Sequence, residues 1–126
     1  MSSETAKLYE GFIKGFPYDP TVKQEALLLK MARFVMSGGN RGLFLMKGYA
    51  GTGKTPIIST IVQNLRSLGI GSVLMAPTGR AAKVMGVYSG REAFTIHKKI
   101  YYPKKKADSG MQFVLQRNKH QNTIFI

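Results

Sequence analysis

One stretch constrains this chain more than any other: residues 43–65, LFLMKGYAGTGKTPIISTIVQNL. An apolar run at 43–46 gives way to a glycine-rich turn, and an apolar, helix-periodic segment follows. Gly48, Gly53, Lys54 and Thr55 complete the pattern G-x-x-x-x-G-K-[ST], a phosphate-binding loop. Glycines let the backbone turn tightly and bring N–H groups close to phosphate oxygens. A helix starting near Gly53 adds its own free N–H groups and the positive end of its dipole. The Lys54 ammonium would reach the β- and γ-phosphates of a nucleoside triphosphate such as ATP. The Thr55 hydroxyl would take a Mg²⁺ ligand position. Gly51 and Thr52, inside the loop, complete the expected nucleotide contacts.

Around this stretch the sequence predicts an α/β fold. Residues 2–15 suit a short amphipathic helix with Leu8 and Phe12 on one face, weakened by Gly11. Both prolines of FPYDP (16–20) bias the chain toward a turn. Residues 21–37 predict a helix whose apolar face holds Ala26, Leu27, Leu29, Met31, Phe34 and Val35. Its start has two readings: a capping box of Thr21 with Gln24, or Asp19 as N-cap with Pro20 in the first turn. Residues 43–46 lack polar alternation and read as a buried central strand of parallel type. The helix after the loop runs from about 53 to 68, and GSVLMA (71–76) is a second buried strand. Strand, helix and strand form a βαβ unit, with a right-handed crossover expected. A short helix over 80–87 comes next. Residues 93–102 fit helix and strand equally, PKKKADSG (103–110) reads as a basic loop, 111–115 as a strand, 117–121 as a turn and 123–126 as a buried strand.

Pro56 departs from the usual pattern. In the first turn of a helix its missing N–H breaks no helix bond. It does disfavour α geometry at Thr55, so a distorted loop or a lowered nucleotide affinity is expected.

Charge narrows the class of partner. Nineteen Lys and Arg face six Asp and Glu, a formal net charge of +13. That excess favours a polyanion and salt-sensitive association. The chain has no Cys, so neither disulfides nor thiolate metal sites are expected, and His97 and His120 stand far apart. No apolar run approaches the roughly 18 residues of a membrane span, and no secretory leader opens the chain; the expectation is a cytoplasmic protein with no membrane partner.

Three motifs taken together, GYAGTGKT (48–55), APTGRAAKVM (76–85) and FTIHKKIY (94–101), resemble the first motor domain of superfamily-one DNA helicases. The resemblance is greatest to the RecD-like, exodeoxyribonuclease V alpha-type group, and it covers residues 19–126, leaving 1–18 as an N-terminal extension. It implies a RecA-like, mostly parallel sheet with helices on both faces, ATP and Mg²⁺ as cofactors, and single-stranded DNA as partner. It implies Gln24 as the adenine reader, Lys54 and Thr55 as phosphate and Mg²⁺ residues, and Thr78, Gly79, Arg80, Thr95 and His97 as DNA contacts. Read without the resemblance, Gln24 serves equally as the capping partner of Thr21, Thr78 as a simple N-cap, and His97 as a structural histidine. Lys98, Lys99 and Lys104 to Lys106, interleaved with Tyr101 and Tyr102, suit either a single-strand surface or a solvated charge run.

The resemblance also implies an Asp-Glu pair directly after a strand like 123–126, to hold Mg²⁺ and orient water. None of the six acids follows a buried strand. The expected role is therefore an N-terminal piece of a helicase motor that binds nucleotide weakly and hydrolyses it poorly or not at all. A free sheet edge at the last strand would favour self-association. The alternatives are a non-enzymatic basic nucleic-acid-binding module with a vestigial phosphate loop, or another nucleotide-binding enzyme such as a small kinase.

Overall fold

The computed structural model describes residues 2–37, 41–48, 53–108 and 110–126. The chain divides into two compact units, up to Asn64 and from Leu65 onward.

The first unit is helical. α1 (Ser3–Gly15) starts at Ser2, whose hydroxyl accepts from the Thr5 N–H. It buries Leu8 and Phe12, as the spacing predicted. α2 (Val22–Met36) packs against it. The capping box decides the start of α2: the Thr21 hydroxyl accepts from the Gln24 N–H at 3.2 Å, and Gln24 Oε1 accepts from the Thr21 N–H at 2.9 Å. Asp19 is not the cap. The core face of α2 also shifts from the predicted one. Its buried residues are Leu28 and Ala32, one turn apart, whereas Ala26 is exposed. Gly11 has a packing reason: a Cβ there would meet Asn64 Oδ1 at 2.6 Å. Along α3 (Lys54–Ser67), Ile57, Thr60, Ile61 and Val62 are buried in this unit.

Residues 43–46 do not form the predicted central strand, so the predicted βαβ unit lacks its first strand among the described residues. Leu43 and Leu45 are 89% and 71% exposed, while Phe44 and Met46 are half-buried. An apolar run becomes a strand only when a neighbour takes its N–H and C=O groups. Here Phe44 packs instead on Phe34 of α2, ring centroids 5.5 Å apart. Gly42 permits that approach, since a Cβ on it would lie 2.7 Å from the Phe34 ring.

The second unit contains a three-stranded parallel sheet. β1 (Gly71–Ala76), the predicted second strand, is central, with β2 (Ala93–Thr95) on one side and β5 (Thr123–Phe125) on the other. The register pairs Ala76 with Thr95 and Gly71 with Thr123. Val73, Leu74 and Ala76 are buried. α4 (Gly79–Ser89) packs on β1 and β2 and ends at Gly90, φ +68°. Residues 93–102, which fitted two periods, resolve into both: β2, then α5 (Ile96–Ile100), then the start of β3 (Tyr101–Lys105). β3 pairs antiparallel with β4 (Met111–Leu115), which corrects the predicted loop at 103–110. In a two-stranded ribbon both strands are edges, where proline is tolerated, so Pro103 does not prevent pairing with Phe113.

α3 ends in a Schellman turn. The Ile70 N–H donates to the Leu65 carbonyl and the Gly69 N–H to that of Arg66, both at 3.1 Å, with Gly69 at φ +71°. A Cβ on Gly69 would meet nothing within 4 Å, so only conformation opposes a side chain there. Gly69→Ala is therefore expected to cost about 1 kcal/mol, and Gly69→Asn less, in urea unfolding. Equal stability of Gly69→Ala and the parent would contradict the left-handed turn.

Candidate functional site

The helix starts show how the chain distributes its polar chemistry. α1, α2, α4 and α5 are each preceded by a hydroxyl residue, Ser2, Thr21, Thr78 and Thr95, that accepts from an N–H of the first turn. α3 is preceded by Gly53, which has no side chain to offer. The Ile57 N–H is bonded to the Gly53 carbonyl at 3.2 Å. The earlier N–H groups of the turn have no capping side chain from residue 53, so they are suited to an external acceptor.

Gly53 itself stands at φ +90°, a backbone region that glycine enters without steric cost. The Lys54 ammonium donates to the Gly48 carbonyl, joining the two ends of the glycine-rich loop. Thr55 is exposed and helical, beside Lys54. Gln24 belongs to the same neighbourhood: a Cβ on Gly53 would lie 2.7 Å from Gln24 Nε2. The capping box occupies Gln24 Oε1, so the amide nitrogen is the atom held against the loop end. The two sequence readings of Gln24 are thus compatible in space. Gly51 and Thr52 lie outside the described residues.

The other candidates lie in the second unit, at the carboxyl ends of adjacent parallel strands. Ala76 and Thr95 are register partners, which brings the segment beginning at Pro77 beside the segment beginning at Ile96. The Thr78 hydroxyl accepts from the Ala81 N–H at 3.1 Å, and the Thr95 hydroxyl from the Lys98 N–H at 3.1 Å. A hydroxyl has one donor as well as acceptor lone pairs, so each threonine can cap and still donate its proton to an oxyanion. Gly79 and Arg80 are exposed at the start of α4, and no acid lies in that first turn.

His97 is exposed but not isolated. Its ring lies 4.9 Å from that of Tyr101 and meets Phe113 edge-on at 4.3 Å. The antiparallel register puts Tyr101, Pro103, Lys105, Met111, Phe113 and Leu115 on one face of the hairpin. Phe113 is 56% exposed there. Gln116 ties the hairpin base to α5: its N–H donates to the Ile100 carbonyl, and Nε2 to the carbonyls of Tyr101, at 2.6 Å, and Lys98. Sequence reading missed Phe113 and Gln116. The alternation in MQFVL carried the signal, but without the pairing partner it did not say which face meets His97. Lys99 is not merely solvated, since its ammonium lies 4.4 Å over the Phe94 ring.

Among the described residues no group of three or more His, Cys, Asp or Glu could hold a metal ion. A Mg²⁺ ion suits the loop in another way, because it keeps several waters and takes phosphate oxygens, needing few protein ligands. The exposed Thr55 hydroxyl fits that requirement. No helix among the described residues is long and apolar enough to cross a membrane.

The chain is similar to two curated proteins. It is 38% identical over 60 residues to the ATP-dependent RecD2 DNA helicase of Deinococcus radiodurans, a match covering 48% of this chain and 8% of that protein. It is 47% identical over 53 residues to the ATP-dependent DNA helicase dda of Enterobacteria phage T4, covering 41% of this chain and 12% of that protein. The matched parts are therefore about a tenth of each relative. No solved structure matches the chain. A family profile described as the AAA domain matches residues 33–126. That match takes in the phosphate-loop motif, the parallel sheet and the hairpin, and with it the chain belongs to the AAA domain family.

Proposed function

We propose that this chain supplies the phosphate-binding and strand-contacting part of a RecD-like, ATP-dependent DNA helicase motor. The observation that carries the reading is the start of α3. There a glycine replaces the hydroxyl cap, and Lys54 and Thr55 occupy the first turn of a chain whose relatives are named as ATP-dependent DNA helicases.

In this reading ATP lays its phosphates against the N–H groups of Gly53, Lys54 and Thr55. The Lys54 ammonium exchanges the Gly48 carbonyl for phosphate oxygens, which hold a cation more strongly than a neutral acceptor does. Thr55 is the residue that would hold Mg²⁺, and the ion would supply neutralising charge on the phosphates. Gln24 Nε2 donates to the base, while Oε1 keeps the start of α2 in place. In this reading the parallel sheet of the second unit belongs to a RecA-like arrangement with helices on both faces. Single-stranded DNA runs over Thr78, Gly79, Arg80, Thr95 and His97, with phosphates on the helix start and a base on the His97 ring cluster. The net charge of +13 supports that partner. It equally supports a basic binding module with a vestigial phosphate loop, which would bind DNA and show no saturable ATP binding in equilibrium dialysis.

Lys54→Ala is expected to weaken binding of a fluorescent ATP analogue more than about tenfold, because it removes a charge-assisted contact. Saturable binding unaffected by this change, or no binding by the parent chain, would overturn the reading. ATP turnover by the chain is expected at background, since none of its six acids follows a buried strand, where the water-orienting acid of such a motor stands. Lys54-dependent turnover would contradict that.

Gln24→Glu separates the two roles of Gln24. A carboxylate still accepts from the Thr21 N–H, so the melting temperature should hold, but it cannot donate, so ATP affinity should fall. For oligo-dT, the logarithm of affinity should fall linearly with that of salt concentration. Arg80→Ala should reduce the magnitude of the slope by about 0.7. An unchanged slope would remove Arg80 from the phosphate contacts.

A further inference from the structure

Pro56 is the one residue of the phosphate loop and its helix start that works against the loop's chemistry. The sequence reading gives two outcomes for it, both through the restriction on Thr55: a distorted loop, or a lowered nucleotide affinity. The structure bears on the first. α3 is continuous helix from Lys54 through Thr55 and Pro56 to Ser67. The Ile57 N–H reaches the Gly53 carbonyl at 3.2 Å, and the Thr60 hydroxyl donates to the Pro56 carbonyl at 2.8 Å. The first turn is therefore closed normally around the proline, and Thr55 keeps its helical place.

What remains is the donor count. A helix start leaves its first four N–H groups without intrahelical partners. In α3 those positions are Gly53, Lys54, Thr55 and residue 56, since the N–H of residue 57 is already bonded. Proline has no N–H. The glycine at 53 keeps a capping side chain away from these donors, and the proline at 56 then removes one of them.

Resting on the phosphate-loop reading above, we infer that Pro56 sets nucleotide affinity and release: it deletes one backbone donor from the cradle, so polyphosphates are held more loosely and leave faster. The effect falls on nucleoside di- and triphosphates alike, because the lost donor belongs to the cradle and not to Lys54. A hydrogen bond to a charged acceptor is a substantial part of such a contact, so restoring it should tighten binding about tenfold. Most of that change belongs in the dissociation rate, as is usual among variants of one site.

Pro56→Ala tests this without a folding penalty, because alanine is the stronger helix former and relieves the restriction on Thr55. The measurement compares the parent chain, Pro56→Ala, Lys54→Ala and the double variant, using fluorescent ADP and ATP analogues and inorganic pyrophosphate. The expected result is about tenfold tighter binding by Pro56→Ala, mainly through slower dissociation, with that binding lost when Lys54 is also replaced. In ¹⁵N-labelled Pro56→Ala, the new amide of residue 56 should move downfield on addition of pyrophosphate, a signature that better helix packing alone would not give. If Lys54 governs binding but Pro56→Ala changes neither affinity nor dissociation, or the new amide does not move, the role of Pro56 is overturned while the phosphate loop stands. If neither the parent chain nor Pro56→Ala shows Lys54-dependent binding, the phosphate-loop reading itself falls, and the inference with it.

Discussion

The unmet hydrogen-bonding capacity of a helix start is the constraint on which the candidate sites of this chain depend. Each helix must place its leading N–H groups somewhere. Ser2, Thr21, Thr78 and Thr95 meet that need from within, each with a side-chain oxygen. At α3 the residue in that place is Gly53, which cannot. The contrast turns a local folding rule into a distribution of function. At a capped start the side-chain oxygen takes one of the leading N–H groups of its own helix, while at α3 residue 53 offers none, which suits that start to an anion. Lys54 adds a charge that the loop holds on its own Gly48 carbonyl. A phosphate bound there would take over a bond the loop otherwise makes to itself, and the net gain would be smaller than the number of new contacts suggests.

Much of this was legible in the sequence because the signals were local. The capping pair Thr21 and Gln24 and the strand GSVLMA both act over a few residues, and both appear where their chemistry puts them. The loop motif was legible for the same reason. What escaped reading was pairing. Residues 43–46 had the composition of a buried strand, but composition does not say which neighbour will accept the ladder; Phe44 found Phe34 instead. The polar, basic composition of PKKKADSG read as a loop, yet a ribbon of two strands exposes its side chains to water and takes such residues, with an outer side for Pro103. Residues 93–102 fitted two periods because they contain two elements, with Thr95 as both the last residue of a strand and the cap of a helix.

The candidate residues were legible as types but not as arrangements. That the segments carrying Thr78 and His97 leave adjacent strands follows only from the parallel register between Ala76 and Thr95. That His97 rests against Tyr101 and Phe113 follows only from the antiparallel register of the hairpin. Gln116, which fastens that hairpin to α5, carries no motif and could be found only by asking where the carbonyls of Lys98, Ile100 and Tyr101 go.

Thr78 carries a consequence for how such a position can vary. As a cap it needs a short side chain with an acceptor, a requirement that Asp and Asn meet as well as Ser and Thr. As a neighbour of Arg80 at an acid-free helix start, facing a polyanion in the proposed reading, it must not bring negative charge and must keep a proton to give. Asp satisfies the first demand and fails the second, and Ala fails the first outright. The set that serves both is narrower than the set of good caps: it excludes the carboxylate and keeps Ser, Thr and the neutral amide Asn. In the proposed reading, a folding requirement and a binding requirement on one side chain would leave this position less free to drift than its exposure on the surface suggests.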